Sequence, residues 1–331
     1  MKNSKLLLTS ALVGTVAMGV AAHAETKISG GATYTYSTIN GTSKAGNTQG
    51  AGKEVQIDIS KSGELDNGMG FSAGFSLEQD GSQSSFDGSE GNFMKFTSGN
   101  TSLMYNIDKA ANLSASVVPR ASTSVNTMAA GMSTTAFDYS PGSQAQQSAW
   151  NVELAQKFDG GSLAFVYVPR MGDAGGNNDN IDASQSGTSM DLIFQGNLGV
   201  DGLTARAAMS DAEAASTTQQ DNKVMQLGVA YNFGSFAVGY QQADIDQKDS
   251  TEDKQKEYGV TYAVSDKLTV GLLQTQTDNN SAKDEEITAA QIGYNLGPVT
   301  VEAYGISVKD PSGSATAADE EKFGLRLGTK F

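Results

Sequence analysis

The feature that most limits what this chain can become is a period of two. After residue 25, apolar and polar side chains alternate in "VQIDIS" from Val55, "FSAGFSLE" from Phe71, "MQLGVAY" from Met225, "YGVTYAV" from Tyr258 and "KLTVGLL" from Lys267. Such alternation puts every second side chain on one face of a β-strand. No 3.6-residue period is sustained anywhere, so the chain reads as all-β. Walking between turn signals gives segments at 26–37, 53–62, 69–79, 91–98, 101–108, 148–158, 161–169 and 187–197. The second half adds 201–210, 223–233, 235–245, 255–264, 267–278, 284–296, 298–309 and 321–331, sixteen in all.

The connections decide the architecture. Seven are short: "GELDNG" (63–68), "GN" (99–100), "DGG" (159–161), "NLGVDG" (197–202), "FGS" (233–235), "SDK" (265–267) and "LGP" (296–298). They alternate with long polar links at 38–52, 80–90, 109–147, 170–186, 211–222, 246–254, 279–283 and 310–320. A soluble sandwich has no reason to gather its short turns at one end. A transmembrane barrel does, with short turns on one side of the membrane and long loops on the other. Most segments run about 9–11 residues, the length a tilted strand needs to cross a bilayer. Closure removes the unpaired edges that lipid cannot satisfy. Apolar positions then face lipid and polar positions face the lumen, which lets a chain with 38% hydrophobic residues span a membrane. Tyr34, Tyr36, Phe158, Tyr231, Phe233, Tyr240 and Tyr294 fall near strand ends, where interfacial aromatic girdles form.

At the start of the chain, Lys2 and Lys5 precede an apolar run over 6–20, and "AHA" follows at 22–24. This is the pattern of a secretory signal peptide over 1–24, cleaved after Ala24. About 15 apolar residues are too few for a spanning helix. Cleavage leaves 25–331 as the barrel domain and moves the formal charge from −15 to −17, because two lysines go. The only histidine, His23, leaves with the signal, and the chain has no cysteine. Burial and hydrogen bonding must hold the fold without disulfides.

Composition also narrows the chemistry. Without His or Cys in the mature chain, neither a Ser-His or Cys-His nucleophile nor a His/Cys zinc site can be built. Glycine-rich stretches sit in loops and not between a strand and a helix, so no phosphate-binding loop is indicated. The acidic balance disfavours nucleic acid as a partner. "GDAGGNNDNIDAS" (172–184) offers Asp173, Asp179 and Asp182 as oxygen ligands for calcium, but it matches neither EF-hand nor RTX spacing and reads as a solvated loop. The mixed-sign run at 244–257 reads the same way. No catalytic residue, cofactor or metal is expected.

Three stretches resemble the general Gram-negative porin family. "GELDNGMGFSAGFSLEQD" (63–80) is similar to that family's second turn and third strand, and "FMKFTSGNTSLMYNID" (93–108) to its fourth and fifth strands. "FGLRLGTKF" (323–331) is similar to its last strand with a terminal Phe. The resemblance implies a sixteen-stranded outer-membrane barrel, assembled as a homotrimer, that passes small hydrophilic solutes and ions. It also implies that the third long link, 109–147, folds inward as the constriction, and that Phe331 is read by the outer-membrane assembly machinery. "FDYSP" (137–141) is similar to a segment some porins carry before strand six, but the link lacks the acidic motif of the enteric porins.

Positions alternating with the lipid-facing ones give the candidate pore-lining charges. They are Lys95, Arg206 and Arg326 on the basic side, and Asp58, Glu153, Asp191 and Glu302 on the acidic side. Opposed charges across a narrow opening set up a transverse field. The same residues could equally be solvated wall charges paired with one another. Within the long link, Arg120 and Asp138 either place opposite charges in the opening or pair with the wall to pin the loop. Excess acid suggests a mild cation preference. A competing reading is a non-conducting barrel, plugged by 109–147, that serves as an adhesin or structural anchor.

Overall fold

The computed structural model describes residues 25–41, 49–81, 91–106, 115–123, 151–169, 188–213, 222–247, 253–278, 283–311, 314 and 318–331. The strands of the first half are β1 (Glu25–Asn40), β2 (Gln49–Glu64), β3 (Gly70–Asp80), β4 (Phe93–Ser98), β5 (Thr101–Asn106), β6 (Asn151–Phe158), β7 (Gly161–Val168) and β8 (Thr188–Gly196). Those of the second half are β9 (Leu203–Glu213), β10 (Asn222–Phe233), β11 (Phe236–Gln247), β12 (Asp253–Ala263), β13 (Leu268–Asp278), β14 (Glu285–Asn295), β15 (Val299–Lys309) and β16 (Glu320–Lys330). Each pairs antiparallel with its sequence neighbours, and β1 pairs with β16 to close the barrel. Among the described residues no helix is long and apolar enough to cross a membrane, so any crossing falls to the strands.

The sixteen expected segments are the sixteen strands, with differences at their ends. β1 and β2 run on as a paired ribbon as far as Thr38 and Gln49, beyond the expected 37 and 53. The added residues, Thr38 and Gln49, Gly50, Ala51 and Gly52, are small or polar, so no apolar alternation announces them. β4 and β5 are only 6 residues each.

The short turns share one local chemistry. Gly160 and Gly297 take φ of +85° and +91°, a region open to glycine because it has no Cβ. In three turns an Asn accepts from a backbone N–H two residues on: Asn67 from Met69, Asn197 from Gly199 and Asn295 from Gly297. The closing seam reaches the last residue. Phe331 N–H donates to the Gly30 carbonyl at 3.0 Å, and Gly30 N–H donates to the Phe331 carbonyl at 2.9 Å. The Phe331 ring lies over Gly30, and a side chain on Gly30 would collide with it.

The outer face carries exposed Met94, Leu103, Leu154, Leu192, Leu227 and Leu325 among many others. Near the short turns it carries aromatic rings. Phe158 stacks on Phe194 with centroids 6.1 Å apart, and Tyr231, Phe233, Phe236 and Tyr262 form a continuous run. A ring row at this level is what a membrane interface favours. The inner face departs from the simple polar-in rule in two places. Ile193, Ala208, Val224 and Ile245 form one buried cluster, and Leu273, Ile287, Ala289, Tyr304, Ile306 and Val308 form another. The second is apolar because it is covered: Val118, from the third long link, is part of the same cluster.

Candidate functional site: the inner wall and residues 115–123

Residues 115–123, "ASVVPRAST", lie along the inner face of β10 to β16. Pro119 has no N–H to give to a ladder. The segment instead bonds to side chains that the strands point inward. Val117 N–H donates to Gln241 Oε1 at 2.9 Å, and Gln241 Nε2 donates back to the Ala115 carbonyl at 3.1 Å. Ala121 and Ser122 N–H both donate to Gln291 Oε1 at 3.0 Å. Thr123 N–H donates to Glu302 Oε2 at 3.1 Å. In this way β11, β14 and β15 each supply one acceptor, and buried backbone N–H groups are satisfied without a strand partner.

Glycines leave room for this contact. On the same inner face stand Gly228, Gly239, Gly259, Gly271 and Gly293, one on each strand from β10 to β14. A methyl group on Gly228 would lie 2.8 Å from Val117 Cγ2, and one on Gly239 would lie 2.6 Å from Pro119 Cδ. One on Gly259 would strike Val118, and one on Gly293 would strike the Ala121 carbonyl. Glycine inside a strand often marks close approach of another backbone, and here five of them make a track.

Two ion pairs fasten the segment. The Arg120 guanidinium pairs with Glu257, and their side chains are 9% and 0% exposed. The other Glu257 oxygen accepts from Ser116 Oγ at 2.5 Å. Farther along, Glu302 accepts from Ser122 Oγ at 2.8 Å and from Arg326 Nη1 at 3.2 Å. Arg326 also donates to Thr123 Oγ1 and, at 3.1 Å, to Thr33 Oγ1 on β1. Arg326 therefore ties β15, β16, β1 and the inward segment together. A buried pair is retained at tolerable cost where further hydrogen bonds meet its remaining lone pairs and protons. Glu257 and Glu302 each accept further bonds, while Arg120 Nε and Nη1 are buried without a partner among the described residues.

The rest of the wall is different. Asp58 on β2 accepts from Ser76 Oγ at 2.6 Å and from Gln56 Nε2 at 3.0 Å. Lys95 on β4 is half-buried and faces inward, between outward Met94 and Phe96. Glu153 on β6 and Asp191 on β8 face inward and are buried. Arg206 on β9 is buried, donating Nε to Gln226 at 2.8 Å and Nη1 to Gln195 at 3.1 Å. A recess of about 680 Å³ separates this strand from Ala115, lined in part by Ser162, Gln195, Thr204 and Arg206.

Of the sequence candidates, the structure brings Glu302 and Arg326 together, sets Arg120 against Glu257, which is not a candidate, and leaves the other described ones apart. Asp138 and the stretch 172–184 lie outside the described residues. Gln241, Glu257 and Gln291 were not singled out in the sequence. The signal that points to them is the inward glycine beside each, as in "YGVTYAV", where Glu257 precedes Tyr258 and Gly259.

Comparisons with known proteins place the chain. No curated protein matches. Among solved structures, a multiply substituted variant of the Rh. blastica porin superposes with TM-score 0.69 at 16% identity, covering 93% of this chain and 100% of that one. An anion-selective porin from Comamonas acidovorans superposes with TM-score 0.70 at 14% identity over the same shares. These identities speak for the fold alone. The family described as Gram-negative porin matches residues 9–328, nearly the whole chain. A closed sixteen-strand barrel with that match means that the chain belongs to the Gram-negative porin family.

Proposed function

We propose that the protein is a passive channel of the outer membrane, passing small hydrophilic solutes and ions down their gradients with no chemical step. The observation that supports this best is the asymmetric use of the inner wall. The inward segment 115–123 is fastened along β10 to β16, while on β1 to β4 the inward charges Lys27, Glu54 and Asp80 are exposed and Asp58, Glu78 and Lys95 are half-buried. In this reading 109–147 forms the constriction, with 115–123 as its anchor. Residues 1–24 are removed as a signal peptide, the mature barrels assemble as homotrimers in outer-membrane lipid, and Phe331 is the mark read by the assembly machinery. The excess of acid over base gives a mild cation preference.

Purified, refolded protein added to a planar bilayer should produce discrete conductance steps. Reversal potential across a salt gradient should show cations favoured, and Asp58→Asn should weaken that preference. A folded, heat-modifiable barrel that inserts but carries no current would contradict the channel reading and favour a structural or adhesive barrel. An anion-favouring potential would remove the cation preference alone.

A further inference from the structure

Along the bare part of the wall, the charges sort by height. Toward the long links, Glu54 near the outer end of β2 and Glu78 and Asp80 at the outer end of β3 face inward. Register places Glu54 opposite Asp80 and Gln56 opposite Glu78, and the three carboxylates come within 4.8 Å of one another. Asp58 lies below them on the same face of β2. Toward the short turns the sign reverses. Lys27 is near the start of β1, Lys95 near the Ser98 end of β4, Lys157 beside Phe158 at the end of β6, and Lys330 at the end of β16. All four alternate with outward residues, so all four face inward.

The covered wall does not undo this division. Its two arginines, Arg120 and Arg326, are matched by Glu257 and Glu302. Buried Arg206 adds to the basic level, since it lies near the Leu203 end of β9, and buried Glu285 and Glu320 add to the acidic level. Lys322 is the exception at the outer level, and it is buried over the Tyr304 ring. At the short-turn rim, Glu25 at the start of β1 and Glu64 at the end of β2 share the inward phase but are exposed, as are Asp159 and Asp201 in the turns, so these carboxylates stand in open solvent. Inside the barrel, low-dielectric walls focus the field of fixed charges.

We propose that the lumen is a bipolar pore, acidic toward the long links and basic toward the short turns, and that its open-channel current rectifies. The inference rests on the channel reading above. The acidic level collects cations and the basic level collects anions. A voltage positive on the long-link side drives each ion from the zone that concentrates it toward the zone that excludes it. Both ions then accumulate at the boundary and conductance rises. The opposite voltage depletes the boundary of both.

The test is the single-channel current of the whole barrel, inserted with its short turns on a known side, in equal KCl on both sides. At 0.1 M, where the Debye length is about 10 Å, current should be about two-fold larger with the long-link side positive than at the opposite voltage. At 1 M, where that length is about 3 Å, the ratio should approach one. Two charge-removed variants, E54Q/E78Q/D80N and K27Q/K95Q/K157Q, should each bring the low-salt ratio toward one while channels still open. A linear current at low salt overturns the proposal, as does a ratio that neither variant changes. Absence of any conductance would instead overturn the channel reading beneath it.

Discussion

The two sides of the lumen solve the same problem in different ways. Polar side chains inside a barrel need partners or water. On β10 to β16 they take partners: Gln241, Glu257, Gln291, Glu302 and Arg326 are bound by 115–123, and glycines between them make the space. On β1 to β6 the inward charges have no inward segment over them among the described residues, and apart from Glu25 and Glu64 at the short-turn rim they sort by sign along the axis. The difference teaches that an inward-facing charge does not by itself shape the pore. Glu302 and Arg326 share a ladder position and neutralise each other, so they fasten the segment. Lys95 and Asp58, on the other side, face inward with no such segment over them among the described residues, and Asp58 takes its hydrogen bonds from Ser76 and Gln56 of the wall itself.

The largest effect should come from the covered wall. Glu257→Ala strands Arg120 in a site where its side chain is 9% exposed. Removing one partner of a buried pair costs about 3 kcal/mol, so the urea midpoint of the barrel in lipid vesicles should fall. The conductance should also become noisier as the segment loosens. An unchanged midpoint would mean that Arg120 already has enough water. Next comes the track itself. Gly293→Val pushes a side chain into the Ala121 carbonyl. Overpacking of this kind costs about 1–3 kcal/mol, and displacement of 115–123 toward the axis should lower the conductance step. Gly305→Ala, at a position where a methyl group meets nothing within 4 Å, should change neither quantity. If the two substitutions behave alike, the track is not a seat.

The smallest effect lies outside the membrane. Lys283 Nζ donates to Asp310 at 2.8 Å, and this hydrogen bond and the carboxylate charge raise the lysine pKa above its usual value. A raised folded-state value means that the contribution is complete below the ordinary lysine range and is lost as pH climbs through the raised one. The pair is exposed, so Asp310→Asn should lower the urea midpoint only slightly at neutral pH. At strongly alkaline pH the variant and the parent should converge. A gap that widens with pH would reverse the sign of the argument.

Much of this architecture is legible in the sequence because period two and short turns are both local. Alternation shows which side chain faces in, and Asn and Gly show where the chain reverses. Partners across the lumen are not local. Nothing near Glu257 announces Arg120, which is 137 residues away in the chain. The ladder could have coupled Glu302 to Arg326, since both sit on strands flanking one link, but not to Ser122. The inward apolar cluster around Leu273 broke the polar-in rule for the same reason: the rule assumes water inside, and Val118 lies there instead. The glycines were the available clue. A glycine at an inward position of an otherwise regular strand leaves a gap, and a gap repeated over five neighbouring strands implies something seated in it.

The central claim is that 115–123 rests on its track while the channel conducts. A methyl group on Gly271 would lie 3.3 Å from Ala121 Cβ, close to the spacing a disulfide requires. The chain contains no other cysteine. The double variant A121C/G271C can therefore be oxidised and reduced in the bilayer while single-channel current is recorded. The account predicts that the disulfide forms readily and that conductance is the same in both states. Failure of the bond to form, or a conductance step that changes when it does, would show that the segment sits elsewhere in the conducting pore.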